Sequence, residues 1–120
     1  MIIKSYDLDT PSIYVIHCND IGLENFKEIL WGIEEECIPY KVENSEIEIS
    51  ECLSHEASLK SKLGIGIGIS SEKITLTTSK LDENSPLITI DINDDYDELR
   101  CLGSNGARLV KGIELKNLGG

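Results

Sequence analysis

The chain has 120 residues and carries 22 Asp plus Glu against 11 Lys plus Arg, a formal net charge of −11. That length suits one domain with a modest core, and an apolar fraction of 40% excludes a disordered acidic chain. The acidity argues against nucleic acid or an anionic membrane surface as the main partner, because binding there rests on Lys and Arg neutralising phosphates.

Residues 12–18 are short, β-branched and aromatic, the composition of a buried strand. Asn19, Asp20 and Gly22 break it and supply helix-capping groups. Leu23, Phe26, Leu30 and Ile33 then recur at three- and four-residue steps with charges between them, which predicts an amphipathic helix to about Glu36. Pro39 stops it, and residues 40–43 read as a second strand. Residues 50–63 carry Leu53, Ala57 and Leu59 in a weaker helical pattern.

Ile65, Ile67 and Ile69 alternate with Gly64, Gly66 and Gly68, so residues 63–69 read as a strand with one glycine face. The short turn at 70–72 leads into a β-branched strand over 73–78, an antiparallel pair. Residues 87–90 give a last strand after Pro86. Residues 94–102 and 104–111 are helical with an interruption at Gly103, Gly112 is the stop, and residues 118–120 are a frayed tail. Strands alternating with helices predict a three-layer α/β/α fold with a mixed five-stranded sheet.

No apolar run approaches the roughly 20 residues of a bilayer span. The first eleven residues contain acids and lack the basic-then-apolar order of a signal peptide. The expectation is a single cytoplasmic domain over residues 1–120, ordered over about 12–115. Cys18, Cys37, Cys52 and Cys101 show no CxxC spacing, and three of them sit inside apolar segments. Buried free thiols are favoured over two disulfides or a zinc site. His17 and His55 form no ligand pair and read as structural.

The glycine alternation invites a nucleotide-loop reading, but phosphate cradles need glycines in a turn that opens a helix. Here a strand follows, so close packing of a helix on the glycine face is preferred. Glu34, Glu35 and Glu36 are less easily dismissed. Three acids in a last helical turn oppose the partial negative charge there, at about 0.3–1 kcal/mol each where exposed. A hard cation such as Mg²⁺, or a basic partner surface, would relieve the repulsion. Helical spacing puts Glu24, Glu28, Trp31 and Glu35 on one stripe, so the lone tryptophan lies off the apolar stripe and resembles an interface anchor ringed by acids. From the residues alone, a solvated acidic face is still the favoured reading.

Arg100, Arg108 and Lys111 fall close to one helical face, and Asn105, Gly106 and Ala107 form a small-residue stretch between them. Basic groups near a helix C-terminus need no ligand, so this is a weak sign of an interface or anion site. No Ser or Cys has a credible His partner, and the acids make no specific dyad. The residues by themselves describe a non-catalytic acidic α/β domain with an acidic-aromatic helix face.

Two stretches carry a resemblance. Residues 31–40, Trp-Gly-Ile-Glu-Glu-Glu-Cys-Ile-Pro-Tyr, resemble the GIEEEGIP-aromatic segment of the small subunit of diol and glycerol dehydratase reactivating factors. Residues 100–113, Arg-Cys-Leu-Gly-Ser-Asn-Gly-Ala-Arg-Leu-Val-Lys-Gly-Ile, resemble that family's R-x-x-G-x-N-A-A-R-L-V-K-G-I segment. Between them, residues 63–67 and 85–87 fall where the family has its SPLGVGI-like and APLF-like strands, so the likeness spans about residues 12–115. Cys37 stands where the family has glycine, Gly106 where it has alanine, and Glu114 where it has proline.

The resemblance implies a fold similar to the dehydratase medium-subunit domain. It implies a non-catalytic small subunit in a chaperone-like, ATP-dependent factor that releases damaged cobalamin from adenosylcobalamin-dependent diol or glycerol dehydratase by subunit exchange. Its partner would be a large, actin-like ATPase subunit in a heterotetramer, and the dehydratase indirectly. Glu35 would help hold Mg²⁺ at the large–small interface, and no cofactor would be bound by this chain alone. Trp31, Glu34, Glu35, Glu36, Arg100, Asn105, Arg108 and Lys111 are the candidate partner-facing residues. Enclosure in a bacterial microcompartment is compatible with this, although no targeting helix is visible. Two readings compete: a dehydratase medium-subunit-like structural component, and an independent small-ligand-binding α/β domain with the edge of the 64–68 strand as its pocket floor.

Overall fold

The β-branched run after Pro11 becomes an internal strand, β1 (Ile13–Cys18), paired on both sides. The structure, a computed structural model, describes residues 10–112, so the tail at 118–120 and the last residues of the expected core lie outside the described residues. β1 runs parallel to β2 (Tyr40–Ser45) and to β3 (Ile65–Ile69), with Ile13 opposite Tyr40 and Val15 opposite Ile67. β4 (Lys73–Thr78) and β5 (Ile88–Asp91) continue the sheet antiparallel, giving the order β2-β1-β3-β4-β5. This is the mixed five-stranded sheet that the residue pattern predicts.

Three helices cover it: α1 (Lys27–Glu35), α2 (Ser50–Lys60) and α3 (Tyr96–Lys111). The alternation in β3 decides which helix takes which face. Cβ atoms built on Gly66 and Gly68 would run into the backbone of α2 at Ser54, Ser58 and Ser50. On the other face, Gly106 of α3 sits over Ile13, Ile67 and Leu76. One core lies on that side, where Ile13, Val15, Ile67, Ile74 and Leu76 pack with Phe26, Ile29, Ile33, Leu99 and Leu102 of the α1–α3 layer. A smaller one, Ile16 and Cys18 with Leu53 and Ala57, lies under α2.

Several expectations need correction. β3 is a central strand, not an edge, and its Gly66–Gly68 face is closed by α2; only at the start of the strand do Gly64 and Ile65 line a hollow, with Leu63, Thr78, Ser79, Lys80 and Leu109. Gly64 does not belong to that face. It turns the chain at φ 74, outside the strand. The first helix is two pieces, because a 3₁₀ turn (Leu23–Asn25) comes first and Phe26, at φ −139 and ψ 15, separates it from α1.

Conversely, α3 runs unbroken through Gly103. Asp95 caps its start by accepting from the Glu98 N–H at 2.9 Å, and Gly112 ends it at φ 71. All four cysteines are free, as expected, but only Cys18 is buried; Cys52 and Cys101 are half-buried and Cys37 is exposed. The His17 ring packs 4.9 Å from Phe26. Among the described residues, no helix is long and apolar enough to cross a membrane.

Candidate functional site

The candidate residues gather where α1 and α3 lie side by side. Glycines set the spacing. A Cβ on Gly32 would collide with the Arg100 carbonyl, and one on Gly103 with the Ile29 carbonyl, so the two backbones touch. Ser104 Oγ donates to the Gly32 carbonyl at 3.2 Å. Glu28 meets Arg100, Gly32 meets Ser104 and Glu36 meets Arg108, each pair 72 residues apart. A constant offset at four-residue steps means that the helices run parallel and in register.

That register sorts the acids. Glu28, on the stripe expected to be solvated, is buried instead, and its Oε1 accepts from Arg100 Nε at 3.0 Å and Nη2 at 2.6 Å. Glu36 also turns toward α3, accepting from Arg108 Nε at 3.1 Å and Lys111 Nζ at 2.8 Å. The Lys111 hydrogen bond is the largest influence on it. Together with the hydrogen bond and charge of Arg108, it holds the Glu36 carboxyl below its ordinary value of 4.5, against the opposing effect of partial burial. Glu34 and Glu35 face solvent. Glu35 Oε2 stands 3.6 Å from Arg100 Nη1, beyond hydrogen-bond length, with its side chain 49% exposed.

Trp31 completes the outer surface at 43% exposure. Arg100 Cζ lies 5.7 Å and Lys27 Nζ 5.6 Å from its ring, both within cation–π range. Trp31, Glu34, Glu35 and Arg100 line a shallow open depression. The candidates therefore divide. Trp31, Glu34, Glu35 and Arg100 share one surface, whereas Glu36, Arg108 and Lys111 are engaged with one another along the helix seam.

Asn105 is fully buried and so cannot be a surface contact of this conformation. Its Nδ2 lies 4.0 Å from Cys101 Sγ, one turn earlier on α3. Glu24 is exposed in the 3₁₀ turn, off the helix on which the stripe was drawn. Neither the place of Lys27 beside Trp31 nor the anchoring role of Glu28 is among the sequence expectations. The i, i+4 step from Lys27 to Trp31 could have revealed the first, but nothing local marks Glu28 as buried. Among the described residues no group of three His, Cys, Asp or Glu side chains could hold a metal ion. As a cation site the surface offers at most a half: one well-exposed carboxylate and an acidic neighbour, short of the six oxygens Mg²⁺ prefers.

A helix-covered mixed sheet with this sequence defines a dehydratase medium-subunit type of domain: residues 10–116 match the family model described as dehydratase medium subunit. The chain belongs, more narrowly, to the family of dehydratase-reactivating factor small subunits. It is 36% identical to the propanediol dehydratase-reactivating factor small subunit of Citrobacter freundii, over 92% of this chain and 94% of that one. The Salmonella typhimurium counterpart is 32% identical over 90% and 92%. Two solved structures superpose with TM-scores of 0.84. One is a diol dehydratase-reactivating factor complexed with ADP and Mg²⁺, at 29% identity, covering 89% of this chain and 98% of that one. The other is a glycerol dehydratase reactivase, at 30% identity, covering 89% and 97%.

Proposed function

We propose that this chain is the non-catalytic small subunit of an ATP-dependent factor that restores adenosylcobalamin-dependent diol or glycerol dehydratase by releasing damaged cobalamin. The near full-length likeness to chains named propanediol dehydratase-reactivating factor small subunit carries this reading. The name of the family model is also compatible with a medium-subunit component, but the matched relatives have nearly this chain's length and are reactivating-factor subunits. A large actin-like ATPase subunit is the partner, in a heterotetramer. The small subunit leaves it so that the large subunit can dock on the dehydratase, and ATP hydrolysis on the large subunit resets the cycle.

The docking face in this proposal is Trp31, Glu34 and Glu35 on the outer side of α1. Its chemistry suits a contact that must form and break. An exposed indole gives area at low entropy cost, and carboxylates of one sign refuse partners that do not offset them. Glu35, with Glu34 beside it, would contribute oxygen to Mg²⁺ whose remaining ligands come from the partner and water. Bound there, the cation would join two surfaces and cancel their repulsion. The exposure of Glu34 and Glu35 side by side supports a shared site, since both carboxylates remain open to a partner. Glu35→Ala should weaken Mg²⁺-dependent assembly with the large subunit by about tenfold or more. Titrations with and without Mg²⁺ check it, and equal affinity of variant and parent would remove Glu35 from the contact.

A further inference from the structure

The buried Glu28 has no role in the docking face as drawn, yet it determines where that face's cation sits. Its side chain is 8% exposed and takes two hydrogen bonds on one oxygen from Arg100, a fork that fixes the guanidinium plane. From that fixed position, Arg100 reaches the two outward groups at once. Its Nη1 stands 3.6 Å from Glu35 and its Cζ 5.7 Å from the Trp31 ring. Glu28 and Trp31 are on α1, and Arg100 on α3, so the contact also couples the docking face to the seam between the helices.

We propose that Glu28 and Arg100 form a positioning pair that presets Trp31 and Glu35 for the partner. This rests on the assignment of Trp31 and Glu35 to the docking face. Without the pair, the indole and the carboxylate would each sample several rotamers, and that freedom would be lost only on binding. A lysine cannot substitute, because a point charge makes no planar fork to Glu28 and stacks poorly on the indole. The exposed Arg100–Glu35 approach is screened by water and adds little stability by itself. What the pair supplies is a single geometry.

The lone tryptophan makes this measurable in the isolated chain. Arg100→Met and Glu28→Gln should each shift Trp31 emission and raise its quenching by acrylamide, and R100K should not restore the parent values. Ile16→Val, under α2 on the opposite face of the sheet, serves as a stability control that leaves Trp31 alone. With the large subunit, R100M and E28Q should bind about tenfold more weakly, and I16V like the parent. If R100M and E28Q change the melting temperature but leave emission and quenching at the I16V values, the pair is only structural and the proposal falls. If the parent chain itself fails to bind the large subunit, the docking assignment falls instead, and the fluorescence still decides whether the pair positions Trp31.

Discussion

Glu36 shows how one residue can change its meaning when the chain folds. In sequence it is the last of three repelling acids; in the structure its carboxylate is 12% exposed between Arg108 and Lys111. Its folded value is depressed, chiefly by the Lys111 hydrogen bond, so its stabilising contribution is complete above the unfolded value and disappears as pH falls through the folded one. Glu36→Gln should therefore be less stable than the parent at pH 7. The gap should narrow as pH drops below about 4.5, and urea midpoints measured from pH 3 to 7 check this. A gap independent of pH would mean that the pairing is not electrostatic. The split within Glu34, Glu35 and Glu36 could not be read from helical spacing. It is decided by cations more than seventy positions away, which periodicity within one helix does not see.

Glycines decide packing at the level of elements, and they were only half legible. The Gly66–Gly68 face announced a close helix, and α2 meets it with Ser50, Ser54, Ala57 and Ser58. That small, polar face is why α2 itself gave a weak amphipathic signal. Gly103 was harder, since a lone glycine in a helical run reads as a break. Here it is the point where α3 touches α1 at Ile29. Two effects compete in Gly103→Ala. Helix propensity favours alanine by about 1 kcal/mol. The Cβ, however, meets backbone that cannot rotate away, and overpacking typically costs about 1–3 kcal/mol. Net destabilisation is expected, with loss of the Glu28–Arg100 and Glu36–Arg108 rungs as the helices part. Chemical denaturation of G103A checks the sign, and a more stable variant would show that the seam has slack.

For the whole molecule, the mixed five-stranded sheet and the antiparallel pairing of β3 with β4 were legible in the pattern, whereas the strand order β2-β1-β3-β4-β5 and the parallel pairing of β1 with β2 and β3 were not, because they rest on contacts between distant segments. Partnership came from two motif stretches. Of those stretches, residues 31–40 prove to be the C-terminal half of α1 with its exit to the start of β2, and residues 100–112 the bulk of α3 with its cap. The long-range seam thus joins the two segments by which the family is recognised. The net charge of −11 is not evenly neutralised there. Glu28 and Glu36 are matched by cations of α3, and Glu34 and Glu35 are left outward beside the tryptophan. Such a surface is suited to a partner that brings compensating charge. The most direct measurement mixes this chain with the large subunit proposed as its partner, ATP, Mg²⁺, fresh adenosylcobalamin and inactivated dehydratase, and follows the return of dehydratase activity. Recovery should require this chain together with the large subunit. Equal recovery with the large subunit alone, or none with the complete mixture, would contradict the assignment.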